Sequence, residues 1–157
     1  MKAKIFRSNF AVALVALLAA GILFLSVMYT NDGTLAFEKL EAETAALAPG
    51  TEDGGAAYLK RAAGDDRITW VAADGTILYE SAADAEQMEN HLSREEIAAA
   101  LQTGAGRSSR YSGTGLTETL YFARRLYDGS VLRAACTRQS LASLVGKLNG
   151  PELWIAT

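Results

Sequence analysis

The sequence predicts an α+β domain, built on an antiparallel sheet with flanking helices and preceded by one N-terminal transmembrane helix. Three observations support this class. Residues 11–29 form an uncharged, apolar run near the N-terminus. Runs of β-branched and aromatic residues flank Asp74-Gly75 and Asp128-Gly129, dipeptides that favour hairpin turns. Segments of good helix formers precede and separate these runs. A length of 157 residues fits one ordinary domain with appendages.

The transmembrane prediction rests on residues 11–29, AVALVALLAAGILFLSVMY. At ~1.5 Å per residue this helix covers roughly 28 Å, close to the ~30 Å hydrocarbon core of a bilayer. Basic residues precede the run and the first acidic residue, Asp32, follows it. This asymmetry predicts a cytoplasmic N-terminus at residues 1–10 and an extracytoplasmic location beyond about residue 30, at the cell membrane. The alternative is a cleaved secretory signal, although no Ala-x-Ala site directly follows the run.

Residues 30–66 are predicted to form an extracytoplasmic helical segment. Helix formers run from residue 34 to residue 48, and Pro49-Gly50 is expected to end this helix. A loop over 51–55 and a short helix over 56–63 then follow. The first helix carries an apolar stripe that suits either packing on the sheet or pairing with a second copy in a homodimer. The stripe consists of Phe37, Leu40, Thr44 and Leu47.

The first hairpin is predicted over residues 67–81, RITWVAADGTILYES. If its Asp-Gly dipeptide forms a two-residue type I′ turn, with both residues at positive φ, Trp70 lies opposite Tyr79 and Val71 opposite Leu78. Side chains alternate along a strand, so one face is expected to be core and the other half solvated. The core face would hold Ile68, Trp70, Ala72, Ile77 and Tyr79, and the other face Thr69, Val71, Leu78 and Glu80.

A helix is predicted after this hairpin. Ser93 and Glu96 have the spacing of a capping box, in which each side chain satisfies a free backbone amide at the helix start. Ile97 and Leu101 share one face of this helix, and Gly104 is expected to end it.

Three further strands and a second hairpin are predicted in the C-terminal half. A two-residue turn in that hairpin would place Arg124 opposite Arg133, an unfavourable pair of like charges. A three-residue turn with a bulge places Leu132 opposite Arg124 instead, and this register is favoured. The strands are expected over 107–113, 119–126 and 130–137, with a turn over 113–115.

The C-terminal residues are predicted to form a closing helix over 140–148, so that the sheet core extends over 67–148. Asn149-Gly150-Pro151 ends this helix. Residues 153–157, LWIAT, are mainly apolar and have a tryptophan at their second position. They predict that 149–157 is the start of a second transmembrane segment.

No combination of titratable residues in the sequence predicts a catalytic site. The single histidine, His91, and the single cysteine, Cys136, lie 45 positions apart in different predicted elements. Cys136 is interpreted as a small core residue, and His91 as a group that caps or orients its loop. The loop acids could hold a cation, although a solvated loop is the favoured interpretation, and no metal or cofactor is predicted. These acids are Asp84, Glu86 and Glu89.

Basic residues cluster on three neighbouring predicted strands. Beyond residue 30 the chain carries 12 basic and 18 acidic side chains, which argues against a nucleic-acid partner. Within this acidic region, arginines suit carboxylate or phosphate ligands, so an anion site is one hypothesis. Ion pairing with Glu80, Glu118 or Asp128 is the favoured alternative. The arginines of the hypothetical site are Arg110, Arg124, Arg125 and Arg133.

Four blocks between residues 67 and 133 carry a family resemblance: RITWVAADGTILYES, MENHLSREEIAAAL, GAGRSSRYS and LYFARRLYDGSVLR. In this order they resemble the extracytoplasmic sensor region of sensor histidine kinases of the phosphate-regulon type. The resemblance implies a PAS-like sheet, a homodimer and an extracellular stimulus of unknown chemistry. It also implies that the phosphoacceptor, ATP-binding and response-regulator-binding parts lie in cytoplasmic domains that this fragment lacks. His91, outside the bilayer, is not the phosphoacceptor.

Two alternatives stay open at this point. The same kind of sensor domain could belong to another transmembrane receptor, such as a diguanylate cyclase or a chemoreceptor. The chain could also be a free-standing, membrane-anchored binding protein. An enzymatic activity of the chain itself is not predicted, because no catalytic residues are identified.

Overall fold

The computed structural model of the protein describes residues 2–82, 89–140 and 143. Within these residues the predicted α+β class, with an antiparallel sheet, is confirmed. The chain divides into two compact units, residues 1–35 and 36–157. The helices and strands are α1 (Lys2–Ala62), β1 (Arg67–Val71), β2 (Ile77–Glu80), α2 (Glu95–Thr103), β3 (Ala105–Tyr111), β4 (Thr117–Arg125) and β5 (Val131–Gln139).

The first unit is helical, and its apolar side chains are exposed. Leu17 and Phe24, for example, both lie with most of their surface accessible. By length and composition this helix is able to cross a membrane, as the apolar run predicted.

In the second unit, α1 continues through the predicted loop over 51–55, so that prediction is wrong. Pro49 lies inside the helix, which breaks only at Gly55, where φ is 54° and ψ is −145°. The hydroxyl of Thr51 donates to the Leu47 carbonyl at 2.8 Å, and both side chains are buried. Tertiary packing therefore outweighs the local cost of the proline. The part after Gly55 corresponds to the predicted short helix over 56–63.

The sheet has five strands in the order β2-β1-β5-β4-β3, and every neighbouring pair is antiparallel. Side chains from α1 cover one face and side chains from α2 cover part of the other. On the face that was predicted to be half solvated, Thr69, Val71 and Glu80 are buried and Leu78 is exposed, so the face is more buried than predicted. The α1-side core includes Leu40, Leu47, Leu59, Ile68, Leu120, Phe122, Leu132 and Ala134, and the α2-side core consists of Val71, Ile97, Ala100, Ala123 and Val131.

The apolar stripe of α1 belongs to this core. Leu40, Thr44 and Leu47 are buried, and Phe37 packs against the same cluster. Of the two uses that the stripe suited, packing on the sheet of the same chain is the one observed. Cys136 also packs against this core, as predicted.

The first hairpin has a three-residue turn, so the predicted type I′ turn is wrong. Gly75 has φ of 87°, while no other residue type among the described residues has positive φ. Its amide donates to the Ala72 carbonyl at 2.9 Å, the arrangement of a turn closed by a left-handed glycine. Trp70 lies opposite Tyr79, as predicted, but a bulge follows. Val71 therefore pairs with Ile77 rather than with Leu78.

The second hairpin has the register that was favoured. Arg124 lies opposite Leu132, and Gly129 closes a three-residue turn at φ of 83°. The amide of Gly129 donates to the Leu126 carbonyl at 3.1 Å. Arg124 and Arg133 therefore do not face each other.

The helix α2 ends at Gly104, as predicted, with φ of 95° and its amide bonded to the Ala100 carbonyl. Its N-cap, however, is Arg94, and no side chain caps that end. The predicted capping box is therefore wrong, because the Glu96 carboxylate is buried inside the domain instead.

The predicted strands and the turn over 113–115 are confirmed, with ends shifted by two residues at most. The predictions for Asp84 and Glu86, for the closing helix beyond residue 140 and for residues 149–157 lie outside the described residues.

Candidate functional site: an arginine cleft on the α2 face

Arg133 is the largest fully buried side chain among the described residues, and it lies on the central strand of the sheet. Its neighbours along β5, Leu132 and Ala134, point to the α1-side core. Alternation therefore directs Arg133 to the α2 face, beside Val131. Only 2% of its surface is exposed. A buried guanidinium is costly unless its N–H groups and its charge have partners.

Those partners come from α2 and β1. Arg133 Nη1 donates to Glu96 Oε1 at 3.2 Å, and Nη2 donates to Thr69 Oγ1 at 2.9 Å. A second carboxylate, Glu80, lies 4.0 Å from Nη2. Arg133 Nε is buried and has no hydrogen-bond acceptor among the described residues. Burial lowers the pKa of Arg133, while Glu96 opposes that change.

Glu96 links α2 to three side chains of the sheet. Its carboxylate accepts from Ser108 Oγ at 2.6 Å and from Arg110 Nη2, in addition to Arg133. Burial acts to raise the pKa of Glu96, but the hydrogen bond from Ser108 and the two guanidinium charges outweigh it. The pKa therefore lies below its usual value, and Glu96 is charged at neutral pH.

Glu80, on the edge strand β2, is a second buried carboxylate that accepts hydrogen bonds from several groups. Arg67 holds it with two parallel bonds, Nε to Oε1 at 3.0 Å and Nη2 to Oε2 at 3.1 Å. Thr69 Oγ1 and the Ala82 amide also donate to this carboxylate. Burial acts to raise the pKa of Glu80, yet these bonds lower it further than burial raises it.

A cleft of about 330 Å³ opens over this network, and it is called the arginine cleft below. Tyr121 forms part of its wall, with the guanidinium carbons of Arg110 and Arg133 at 4.3 Å and 5.2 Å from its ring centroid. These cation–π contacts help to hold both guanidinium groups in place. The cleft is lined by Arg67, Arg94, Arg110 and Arg133, together with His91, Tyr121 and Glu89.

His91 is 4% exposed, and its Nδ1 lies 2.8 Å from the Glu89 carbonyl oxygen. This contact agrees with the predicted role of orienting the loop. Burial lowers the pKa of His91, and the charges of Arg133 and Arg94 add to that effect. His91 is therefore neutral at pH 7.

The four arginines of the hypothetical anion site lie in two places. Arg110 and Arg133 line the arginine cleft, whereas Arg124 and Arg125 line another cavity, of about 670 Å³, beside the β4–β5 turn. In that cavity Arg125 Nη1 donates to the Leu101 carbonyl at 2.7 Å. Although it is larger, that cavity brings together fewer charged groups of one sign, so the arginine cleft is the candidate site.

The alternative to an anion site was that these arginines pair with Glu80, Glu118 or Asp128, and this is observed in part. Glu80 lies near Arg133, but Glu118 pairs with Arg138 at 2.9 Å. Asp128 accepts from Ser130 within its own turn.

Sequence reasoning missed Arg67, Arg94 and Glu96. Glu96 was assigned to a cap because its spacing from Ser93 fits one. A signal for Arg67 was present, because strand alternation places it on the same face as Thr69 and Val71. No local sequence pattern indicated that Arg67 and Arg133, which are 66 positions apart, lie on the same face of the sheet.

The arginine cleft presents guanidinium groups, which bind carboxylates and phosphates through paired N–H donors. The described part of the chain holds no group of three or more His, Cys, Asp or Glu side chains that could bind a metal. Fold and site together define an α+β domain with a basic, ligand-sized cleft, in a chain whose N-terminal helix is able to span a membrane.

Comparison with known proteins found no match: no family model and no curated protein matches the chain.

Proposed function

We propose that this chain is the extracytoplasmic signal-sensing part of a membrane-bound two-component sensor histidine kinase, with a PAS-like sensor core over residues 67–148. One observation carries the proposal. The described residues form a helix, two strands, a helix and three strands, and the five strands make one antiparallel sheet. The first of these helices has an apolar N-terminal part that is able to span a membrane. That order agrees with the order of the four sequence blocks that resemble the kinase sensors.

The proposed topology has residues 1–10 in the cytoplasm and the sheet domain outside the cell. Lys2, Lys4 and Arg7 support it, because basic residues favour the cytoplasmic side of a membrane helix. The proposed partners are the membrane, a second copy of the chain and, through cytoplasmic domains, a response regulator.

The proposed mechanism is a shift between two packings of the sensor domain. A stimulus can bias such an equilibrium only by its difference in affinity for the two states. Leu40 and Leu47 of α1 pack directly on the sheet, so a change in sheet packing alters the surface on which this helix rests. In the proposal, flanking membrane helices carry that change to the kinase domains.

The coding sequence beyond Thr157 tests this proposal. We expect it to encode a second apolar span and then a dimerisation domain with a phosphoacceptor histidine and an ATP-binding domain. A cyclase or chemoreceptor signalling domain in that frame would contradict the kinase assignment and keep the sensory one. A stop codon directly after Thr157 would contradict both and favour an anchored binding protein.

A further inference from the structure

We propose that the arginine cleft is a binding site for a small oxyanion, a carboxylate or phosphate compound of few heavy atoms. Such ligand binding goes beyond the proposed sensor function and does not depend on which output domain the sensor serves.

Positive charge is concentrated at the arginine cleft. Beyond residue 30 the chain carries an excess of six acidic side chains, yet four guanidinium groups line one cleft of about 330 Å³. Glu80 and Glu96 lie behind this cleft and Glu89 is in its wall. Among the described residues, three carboxylates facing four guanidinium groups leave a net positive charge when His91 is neutral. An anionic ligand would balance it.

The guanidinium donors of the cleft are held in fixed positions. The described hydrogen bonds of Arg67 use Nε and Nη2, and those of Arg110 use Nη2. Within the described part of the chain, this leaves Arg67 Nη1 and the other N–H groups of Arg110 for a ligand. Because buried carboxylates orient both side chains, little side-chain entropy is lost when an anion binds.

Arg94 contributes a further positive charge to the cleft. It lines the cleft from the N-terminal end of α2, and among the described residues its guanidinium has no ion-pair or hydrogen-bond partner. Arg133 adds a buried Nε without an acceptor in the same set of residues. A group that accepts from the outer arginines would therefore meet donors that the described residues leave unused.

The size of the cleft limits the ligand. A volume of about 330 Å³ is at the lower end of the range for small-molecule sites, roughly 300–1,000 Å³. Inorganic phosphate, a phosphate monoester or a short dicarboxylate fits that limit, whereas a polyanionic chain does not. The planar fork of arginine pairs with two oxygens of either group.

Calorimetric titration of the full chain in detergent micelles tests the inference. Inorganic phosphate, succinate and neutral glycerol are titrated separately at low ionic strength, where screening is weak. We expect saturable binding of phosphate, of succinate or of both, and none of glycerol. Whichever anion binds identifies the class of oxyanion. Absence of saturable binding by both anions up to about 10 mM would overturn the inference.

A pair of matched variants locates the site. Arg94→Gln removes a cleft charge that has no ion-pair or hydrogen-bond partner among the described residues, and we expect it to weaken binding about tenfold or more. Arg125→Gln removes the same charge from the other cavity and should leave the affinity within about twofold. Arg94→Lys keeps the charge, so it should lose less affinity than Arg94→Gln.

Equal weakening by Arg94→Gln and Arg125→Gln would mean diffuse ionic binding and would overturn the assignment to the cleft. Circular dichroism of each variant checks that the fold is kept. This test and the test of the sensor function can fail separately, since a kinase frame beyond Thr157 says nothing about anion binding.

Discussion

At the residue scale, the buried ion pairs of Arg133 decide how the α2 face is held together. Arg133, Glu96 and Glu80 are all shielded from solvent, so each charge depends on the others. Removing one partner from a buried pair costs more than the pair contributes, because the remaining charge stays desolvated.

Replacement of Arg133 by methionine tests this dependence. We expect Arg133→Met to lower the free energy of unfolding by about 3–5 kcal/mol at pH 7, because Glu96 loses its deepest partner. The double variant Arg133→Met with Glu96→Gln should recover part of that loss, since it removes the uncompensated charge. Urea unfolding in micelles, followed by circular dichroism, measures both. Two losses that simply add would contradict the interpretation.

Away from the cleft, the carboxyl groups of Glu43 and Asp66 lie close together, and Asp66 affects the charge of Glu43. Burial raises the pKa of Glu43 to about 7, and a hydrogen bond with Asp66 contributes to the rise. Lys39 lies 2.7 Å from Asp66 and partly offsets the effect on Glu43. The folded pKa lies above the unfolded value of about 4.5. The stabilisation that Glu43 provides is therefore full below pH 4.5 and is lost as the pH rises through about 7.

The variant Glu43→Gln is therefore expected to remove a pH dependence. At pH 8 it should be more stable than the original chain by about 1–2 kcal/mol, a value reduced for the partial exposure of Glu43. Near pH 4 the difference should nearly vanish, because Glu43 is then mostly protonated in both the folded and the unfolded protein. Unfolding at both pH values measures it. Glu38→Gln, an exposed control on the same helix, should show no such change, and equal behaviour of the two variants would refute the explanation.

At the scale of elements, the contact between α2 and β3 positions the cleft. A Cβ atom at Gly106 of β3 would lie 2.1 Å from the Glu96 carbonyl oxygen and 2.9 Å from the Ala99 Cβ. Only glycine allows the helix to approach the strand so closely. That approach places the Glu96 side chain within reach of Ser108 and Arg110.

Substitution of Gly106 by alanine should force α2 away from the sheet. We expect Gly106→Ala to lower the free energy of unfolding by about 1–3 kcal/mol, the usual cost of overpacking. Thermal unfolding of the full chain measures the loss. Gly113→Ala is the matched control, because nothing lies within 4 Å of its added Cβ and its φ is not positive. If both substitutions cost the same, close packing is not the reason for glycine at position 106.

The two hairpins show why turn chemistry alone was an incomplete guide. In each, the aspartate carboxylate accepts from the amide two residues further on, Asp74 from Thr76 and Asp128 from Ser130, both at 2.9 Å. This bond holds the aspartate at negative φ, so that only the glycine takes the left-handed conformation. At the second hairpin, the unfavourable pairing of Arg124 with Arg133 in a two-residue turn predicted the three-residue turn. The first hairpin has no such pair of like charges, so its sequence did not indicate the three-residue turn.

At the scale of the whole molecule, the proposed topology leads to a labelling experiment. Single cysteines are introduced in a Cys136→Ser background at Ser8 and Thr114, both exposed positions. With a membrane-impermeant maleimide we expect Thr114→Cys to react in intact cells and Ser8→Cys to react only after permeabilisation. The reverse pattern would place the sheet domain in the cytosol and contradict the proposed sensor function. The arginine cleft would not be affected by that result.

The sequence by itself determined the features that depend on neighbours along the chain. The apolar run, the strands, the glycine that ends α2 and the register of the second hairpin follow from local charge, β-propensity and turn chemistry. The tertiary structure alone decided the rest. Pro49 stays within a helix because Leu47 and Leu59 are buried on the sheet, and Glu96 leaves its expected cap for Arg133, 37 positions away. Contacts between distant residues outweigh local preferences there, because a buried charge must find a partner wherever the fold places one.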